Sequence, residues 1–176
     1  MPISGEYSED LLIEQPALEL LGNLGWEPAD CYKEFASGQS TLGRATSDEV
    51  LLPSRLQSAL ERLNPALPPK AIRLAIEELA RDRSKMSMAA ANRDVFRLLK
   101  NGIKVSVKTD AGDYAFETVK IIDWNDTGNN DFFLASQFWV SGEMYKRRAD
   151  LIGFINGIPL LFIELKAVHK SLKNAF

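Results

Sequence analysis

Three charged residues occupy a segment that otherwise reads as buried strand. From Arg148 to Lys166 the chain runs Arg-Ala-Asp-Leu-Ile-Gly-Phe-Ile-Asn-Gly-Ile-Pro-Leu-Leu-Phe-Ile-Glu-Leu-Lys, two apolar runs broken by Asp150, Glu164 and Lys166. Near-continuous apolar runs belong to strands covered on both faces, where an unpaired charge is costly. Something must compensate these charges, and a bound cation is one candidate. Two carboxylates brought together hold a hard divalent cation through their oxygens. Such a cation neutralises a phosphodiester, lowers the pKa of a bound water and stabilises the leaving oxygen. An ammonium group beside it can orient the attacking water or stabilise the pentacovalent phosphate. The chemistry these residue types point to is metal-dependent hydrolysis of a phosphate ester.

The geometry this requires is specific. Glu164 and Lys166 lie two apart on a strand and so share a face. That pair alone is a commonplace surface ion pair; the apolar flanks, Asp150 and the hairpin signal Asn156-Gly157 are what give it weight. A two-residue turn at Asn156-Gly157 pairs Ile155 with Ile158 and Asp150 with Ile163, which turns Glu164 away from Asp150. A three-residue connection through Ile158, or a one-residue bulge, sets Asp150 opposite Glu164. The functional reading requires one of the latter two.

Other candidates surround this core. Glu14 stands two residues before Pro16, where a kink would aim it inward as a further ligand, with Glu9 as its rival and solvated helix acids as the plain alternative. Lys146, Arg147, Arg148, His169 and Lys170 are candidate phosphate contacts, although a solvated charge run explains them equally simply. Trp26, Trp124 and Trp139 read as core or edge aromatics.

The elements that must position these residues follow from periodicity. Ser8 is a candidate N-cap for a first helix carrying Leu11, Leu12, Ala17, Leu18, Leu20 and Leu21, which Pro16 either kinks or restarts and Gly22 and Gly25 end. Residues 27–48 read as a loop-rich connection with a short strand near Cys31–Phe35. Helical patterns follow over about 53–63, 69–81 and 88–100, with Ile72, Leu74, Ile76 and Leu79 as core positions of the second. After Gly102 the period becomes that of strands: 103–107, 114–122, 132–140, 150–155 and 159–167, with helix resuming near Val168. Helices, then strands, then helix give an α/β fold of mixed α+β type, a central mixed sheet flanked by helices.

Composition sets the outer bounds. A chain of 176 residues with 45% hydrophobic and 26% charged content fits one globular domain. One cysteine and one histidine exclude a disulfide framework and a Cys- or His-rich metal site. No run approaches a membrane span and no signal peptide opens the chain, which fits a reducing cytoplasm. The net charge is −3, yet the stretch from Met144 to Phe176 carries six basic residues against two acidic ones. A locally basic region on an acidic protein is compatible with DNA at one face.

The pattern Asp150-x13-Glu164-Leu165-Lys166 resembles the PD-(D/E)xK nuclease signature. More narrowly, the Arg148–Lys166 segment, with the opening Ser8-Glu-Asp-Leu-Leu-Ile-Glu and Leu24-Gly-Trp26, is similar to the N-terminal nuclease domain of type I restriction enzyme R (HsdR) subunits. The resemblance implies a restriction-endonuclease-like fold over residues 1–176 with a helical insertion at about 53–100. It implies Mg²⁺ held by Asp150, Glu164 and the Leu165 backbone carbonyl, and Lys166 as the catalytic lysine. It implies double-stranded DNA as substrate in a bacterial or archaeal cytoplasm, modification and specificity subunits as partners, and an ATP-driven motor in a longer chain of which this is the N-terminal part. Ala149 replaces the proline of the superfamily signature, no phosphate-binding loop GxxxxGK[ST] is present, and the family's downstream Gln-x-x-x-Tyr motif is not reached. The alternative from another class is a DNA-binding or subunit-docking module with an inactive site.

Overall fold

The computed structural model describes residues 13–108, 112–142 and 145–166. Its elements are helices α1 (Gln15–Asn23), α2 (Pro53–Leu63), α3 (Pro69–Ala80) and α4 (Met88–Asn101), and strands β1 (Glu27–Asp30), β2 (Ile103–Lys108), β3 (Tyr114–Val119), β4 (Phe132–Ser141), β5 (Lys146–Ile155) and β6 (Ile158–Ile163). They form two compact units. One comprises Met1–Val50, Phe132–Phe154 and Pro159–Phe176; the other comprises Leu51–Asp131 and Ile155–Ile158.

The first unit is built on a four-stranded sheet of order β1-β4-β5-β6. Strands β1 and β4 run parallel, with Glu27 level with Phe133 and Asp30 level with Ser136. The short β4–β5 and β5–β6 connections leave no room for a parallel crossover, so these pairs are antiparallel and the sheet is mixed. Its core holds Phe133, Leu134, Phe138, Leu151 and Phe154, all essentially inaccessible. Pro16 lies in the first turn of α1, where its fixed φ suits a helix and no N–H is missed. At the other end Gly25 (φ +94°) lets Trp26 N–H reach back to the Leu21 carbonyl at 3.1 Å and stop the helix. Trp26 then packs edge-on to Phe132 at 5.2 Å and fills the space over Gly153, where a Cβ would come within 2.7 Å of the indole.

The expected strand near Cys31–Phe35 is instead β1, four residues earlier. Pairing with β4 is exhausted at Cys31, whose N–H meets the Ser136 carbonyl at 2.9 Å. The Asp30 carboxylate then accepts the Tyr32 N–H at 2.8 Å and turns the chain. The turns and loop that follow are held by a buried pair, Arg44 and Glu34. The Arg44 guanidinium also donates to the carbonyls of Glu49 (2.7 Å) and Trp139 (3.1 Å) and lies 4.0 Å from the Phe138 ring centroid.

The second unit packs helices against a two-stranded antiparallel ribbon, β2-β3. Leu56, Leu60, Ile72, Ala75, Leu79, Leu99, Ile103, Val105, Val107 and Val119 form one core, with Leu74 and Ile76 partly buried against it. Pro53 and Pro69 open α2 and α3, and the Ser87 hydroxyl caps α4 through the Ala90 N–H. The strand expected to reach Ile122 ends at Val119, because the Asn64 side chain takes the Lys120 N–H at 2.8 Å. Ile158 joins this core, and the turn residue Asn156 is fully buried. Its amide donates to the carbonyl of Ile121 and the side chain of Asn130, and its oxygen accepts the Asp131 N–H.

Strand β5 starts at Lys146 rather than Asp150, and β6 ends at Ile163. The helix expected near Val168 lies outside the described residues.

Candidate active site

The β5–β6 hairpin decides whether the sequence-predicted residues can meet. Its turn has two residues, Asn156 (φ +52°) and Gly157 (φ +76°), the left-handed pair of a type I′ turn. Left uninterrupted, that turn would face Gly153 with Leu160 and send Glu164 to the wrong side. The strands depart from it. A Cβ on Gly153 would lie 3.0 Å from the Leu161 Cβ, so Leu161 shares the Gly153 face. One extra residue has therefore entered β6 between Ile158 and Leu161, a stretch containing Pro159, which has no N–H to give the ladder.

Past the end of β6 the segment stays anchored: the Leu165 N–H donates to Asp150 Oδ2 at 2.7 Å. Lys166 Nζ stands 3.9 Å from Glu164 Oε1, and both side chains are partly exposed. Asp150 and Leu165 line a cleft of roughly 1050 Å³ together with Glu14, Ser136, Gln137 and Arg148. Glu164 and Lys166 pair beside this lining and are not part of it.

Glu14, only 8% exposed, is the residue immediately before α1. Glu14 has helical φ and ψ (−68° and −49°) and leads directly into α1. Gln137 Nε2 donates to Glu14 Oε2 at 2.5 Å. Gln137 was not foreseen from sequence. It sits in β4 with φ +54°, a left-handed conformation inside a strand that re-aims its side chain. The rival Glu9, and His169 and Lys170, lie outside the described residues.

Lys146 and Arg148 alternate with Arg147 and share the Asp150 face of β5. Lys146 Nζ is 4.8 Å from the Trp139 ring centroid, and the Arg148 guanidinium is 5.4 Å from Tyr32 and 5.5 Å from Trp139. Trp139 thus carries cations, Trp26 is a packing residue, and Trp124 is exposed with its indole N–H bonded to the Leu99 carbonyl at 3.1 Å.

All the candidate ligands are carboxylate or carbonyl oxygens, the donor type hard divalent cations take. Among the described residues, no group of three or more His, Cys, Asp or Glu side chains converges closely enough to hold a metal. The oxygen donors therefore suit such an ion in kind, with Asp150 and Glu14 on the cleft and Glu164 at its margin.

A mixed sheet with an acid on one strand and a Glu-x-Lys pair just past the end of its hairpin partner, with helices in the same chain, defines a restriction-endonuclease-like protein. The chain belongs to the family described as "Type I restriction enzyme R protein N terminus", whose sequence model matches residues 6–176. It is 32% identical over 155 residues to the type I restriction enzyme HindI endonuclease subunit of Haemophilus influenzae, an alignment covering 88% of this chain and 14% of that protein. A Methanocaldococcus jannaschii protein bearing the name of the type I MjaIXP endonuclease subunit is 28% identical over 181 residues, 98% of this chain and 17% of that protein. The chain thus spans about a sixth or less of the length of these curated relatives.

Proposed function

We propose that the first unit is the nuclease centre of a type I restriction R subunit and that it hydrolyses DNA phosphodiester bonds with a divalent metal, Mg²⁺ in the cell. The observation that carries this reading is the 2.7 Å bond from the Leu165 N–H to the Asp150 carboxylate, which ties the Glu164-Leu165-Lys166 segment to the strand bearing Asp150. Asp150, Glu164 and the Leu165 carbonyl are the candidate ligands, with Glu14 as a further one. The ion, when bound, supplies Lewis acidity and an acidified water. Lys166 orients the water and offsets charge developing on the phosphate. Lys146 and Arg148, steadied against Tyr32 and Trp139, hold neighbouring phosphates. Contacts of this kind position the backbone and read no sequence, so recognition falls to other subunits.

In this reading the modification and specificity subunits are partners, an ATP-driven motor in the longer R subunit brings up the DNA, and the assembly works in the cytoplasm. Calorimetric titration of the chain with Mn²⁺ tests the metal. Binding that disappears in Asp150→Ala supports the proposal. The absence of converging acid triplets among the described residues favours a second reading, a docking module with an inactive site. That module would show no Asp150-dependent Mn²⁺ binding, and its Lys166→Ala variant would leave cleavage by the intact restriction complex untouched.

A further inference from the structure

The β2-β3 ribbon of the second unit has two faces of opposite character. Ile103, Val105, Val107 and Val119 point into the core. The alternate positions are exposed and pair across the ribbon: Lys104 with Thr118, Ser106 with Phe116, and Lys108 with Tyr114. Phe116 is 81% exposed and Tyr114 is 70% exposed, which leaves two large rings of one strand in water. Among the described strand residues, both charges on this outward face are positive. The acid of β3, Glu117, alternates to the other face opposite Val105, and Asp113 precedes the strand.

We infer that this face binds an unpaired nucleic-acid strand, with Tyr114 and Phe116 as stacking platforms and Lys104 and Lys108 as phosphate contacts. Two residues apart on a strand, the rings are separated by roughly 6.6–6.8 Å, about twice the base-stacking repeat, so each can take one base of an extended strand. Aromatic platforms flanked by cations are the general means of holding single strands without reading sequence. A duplex hides its base faces and would give the rings nothing to stack on. An apolar protein partner would have to bury two lysines, whereas a polyanion gains from both. The Ser and Thr between them add hydrogen-bond capacity without bulk.

The inference stands apart from the cleft and can be tested with chelator present, where metal-dependent cleavage does not operate. Fluorescence anisotropy of the full chain with labelled dT15, U15 and a 15-base-pair duplex reads the affinity. Ultraviolet crosslinking of a bromouracil-substituted strand, mapped by mass spectrometry, reads the position. The expected result is tighter binding of a single strand than of duplex, with crosslinks at Tyr114 or Phe116. The better of the DNA and RNA strands identifies the source. Tyr114→Ser with Phe116→Ser should weaken single-strand binding by at least about tenfold. The substituted side chains are exposed, and an unchanged melting temperature verifies the fold. Lys104→Gln with Lys108→Gln should flatten the salt dependence by about two ions. Crosslinks confined to other segments, or equal affinity in the Tyr114/Phe116 variant, would overturn the inference. So would a dimer in sedimentation that the same variant dissolves while strand binding persists, since the rings would then serve self-association.

Discussion

Gln137 reaches Glu14 with a 2.5 Å hydrogen bond from a backbone that favours glycine, at φ +54°. A residue held in that region costs on the order of 1–3 kcal/mol, so the strand accepts strain at the point where its side chain meets a buried carboxylate. Gln137→Gly removes the strain and the amide together. It is expected to leave the melting temperature unchanged or raised while weakening Mn²⁺ binding by roughly 10- to 100-fold, the usual effect of losing the partner of a ligand. Calorimetry and thermal melts on the same samples check this. Gln137→Asn, tolerant of the same φ, should fold equally well; it is too short to restore the affinity.

Asp150 has two separable roles, a charge facing the cleft and an acceptor for the Leu165 N–H. Asp150→Asn keeps an acceptor oxygen and loses the charge, so it should retain stability and lose Mn²⁺ binding. Asp150→Ala leaves the Leu165 N–H without its acceptor and should cost about 1–3 kcal/mol besides. Urea unfolding beside calorimetry distinguishes the two variants.

The long loop after β1 rests on the buried Arg44–Glu34 pair. Removing one partner strands the other in a site packed by Phe138. Arg44→Ala is expected to destabilise by about 3–5 kcal/mol, read as a lower urea midpoint.

Asp123 gives a pH dependence of defined sign. The Asn129 side-chain amide (3.1 Å) and the N–H groups of Asp126 and Asn125 hold its carboxyl down to about 2, helped by Lys120 and opposed by burial. The unfolded chain has the ordinary value of about 3.9. The folded form therefore releases the proton more readily, and Asp123 stabilises it above about pH 4. That contribution should fade as pH falls toward 2. Denaturant titrations of wild type and Asp123→Asn across pH 2–7 should show a gap at neutral pH that closes in acid.

Where local chemistry decides the structure, the sequence is informative. The helices α2, α3 and α4 follow from Pro53, Pro69 and Ser87 at their starts and apolar residues at helical spacing. The Asn156-Gly157 turn likewise follows from its residue types. The pattern gives no sign of strand β1, because Glu-Pro-Ala-Asp has no alternation and its pairing with β4 is a tertiary fact. The site divides in the same way. Asp150, Glu164 and Lys166 stand out as charges among apolar neighbours. Gln137 carries no signal, since its left-handed φ is imposed by the fold, and Tyr32 and Trp139 reveal their cation contacts only in space. The register lies between: the residue types allow either outcome, and the approach of Leu161 to the Gly153 face is a tertiary fact.

That single extra residue makes the hairpin a parity switch. Deleting Leu160 would restore the uninterrupted ladder that the type I′ turn prefers. Every later side chain of β6 would exchange sides, and the Leu165 N–H would lose its place at Asp150 without Asp150, Glu164 or Lys166 being altered. A lesion of this kind would show in folding, because Leu161 and Ile163 exchange faces with Phe162, as well as in metal binding and cleavage. It would mark chains that keep the signature letters and have lost the centre they spell.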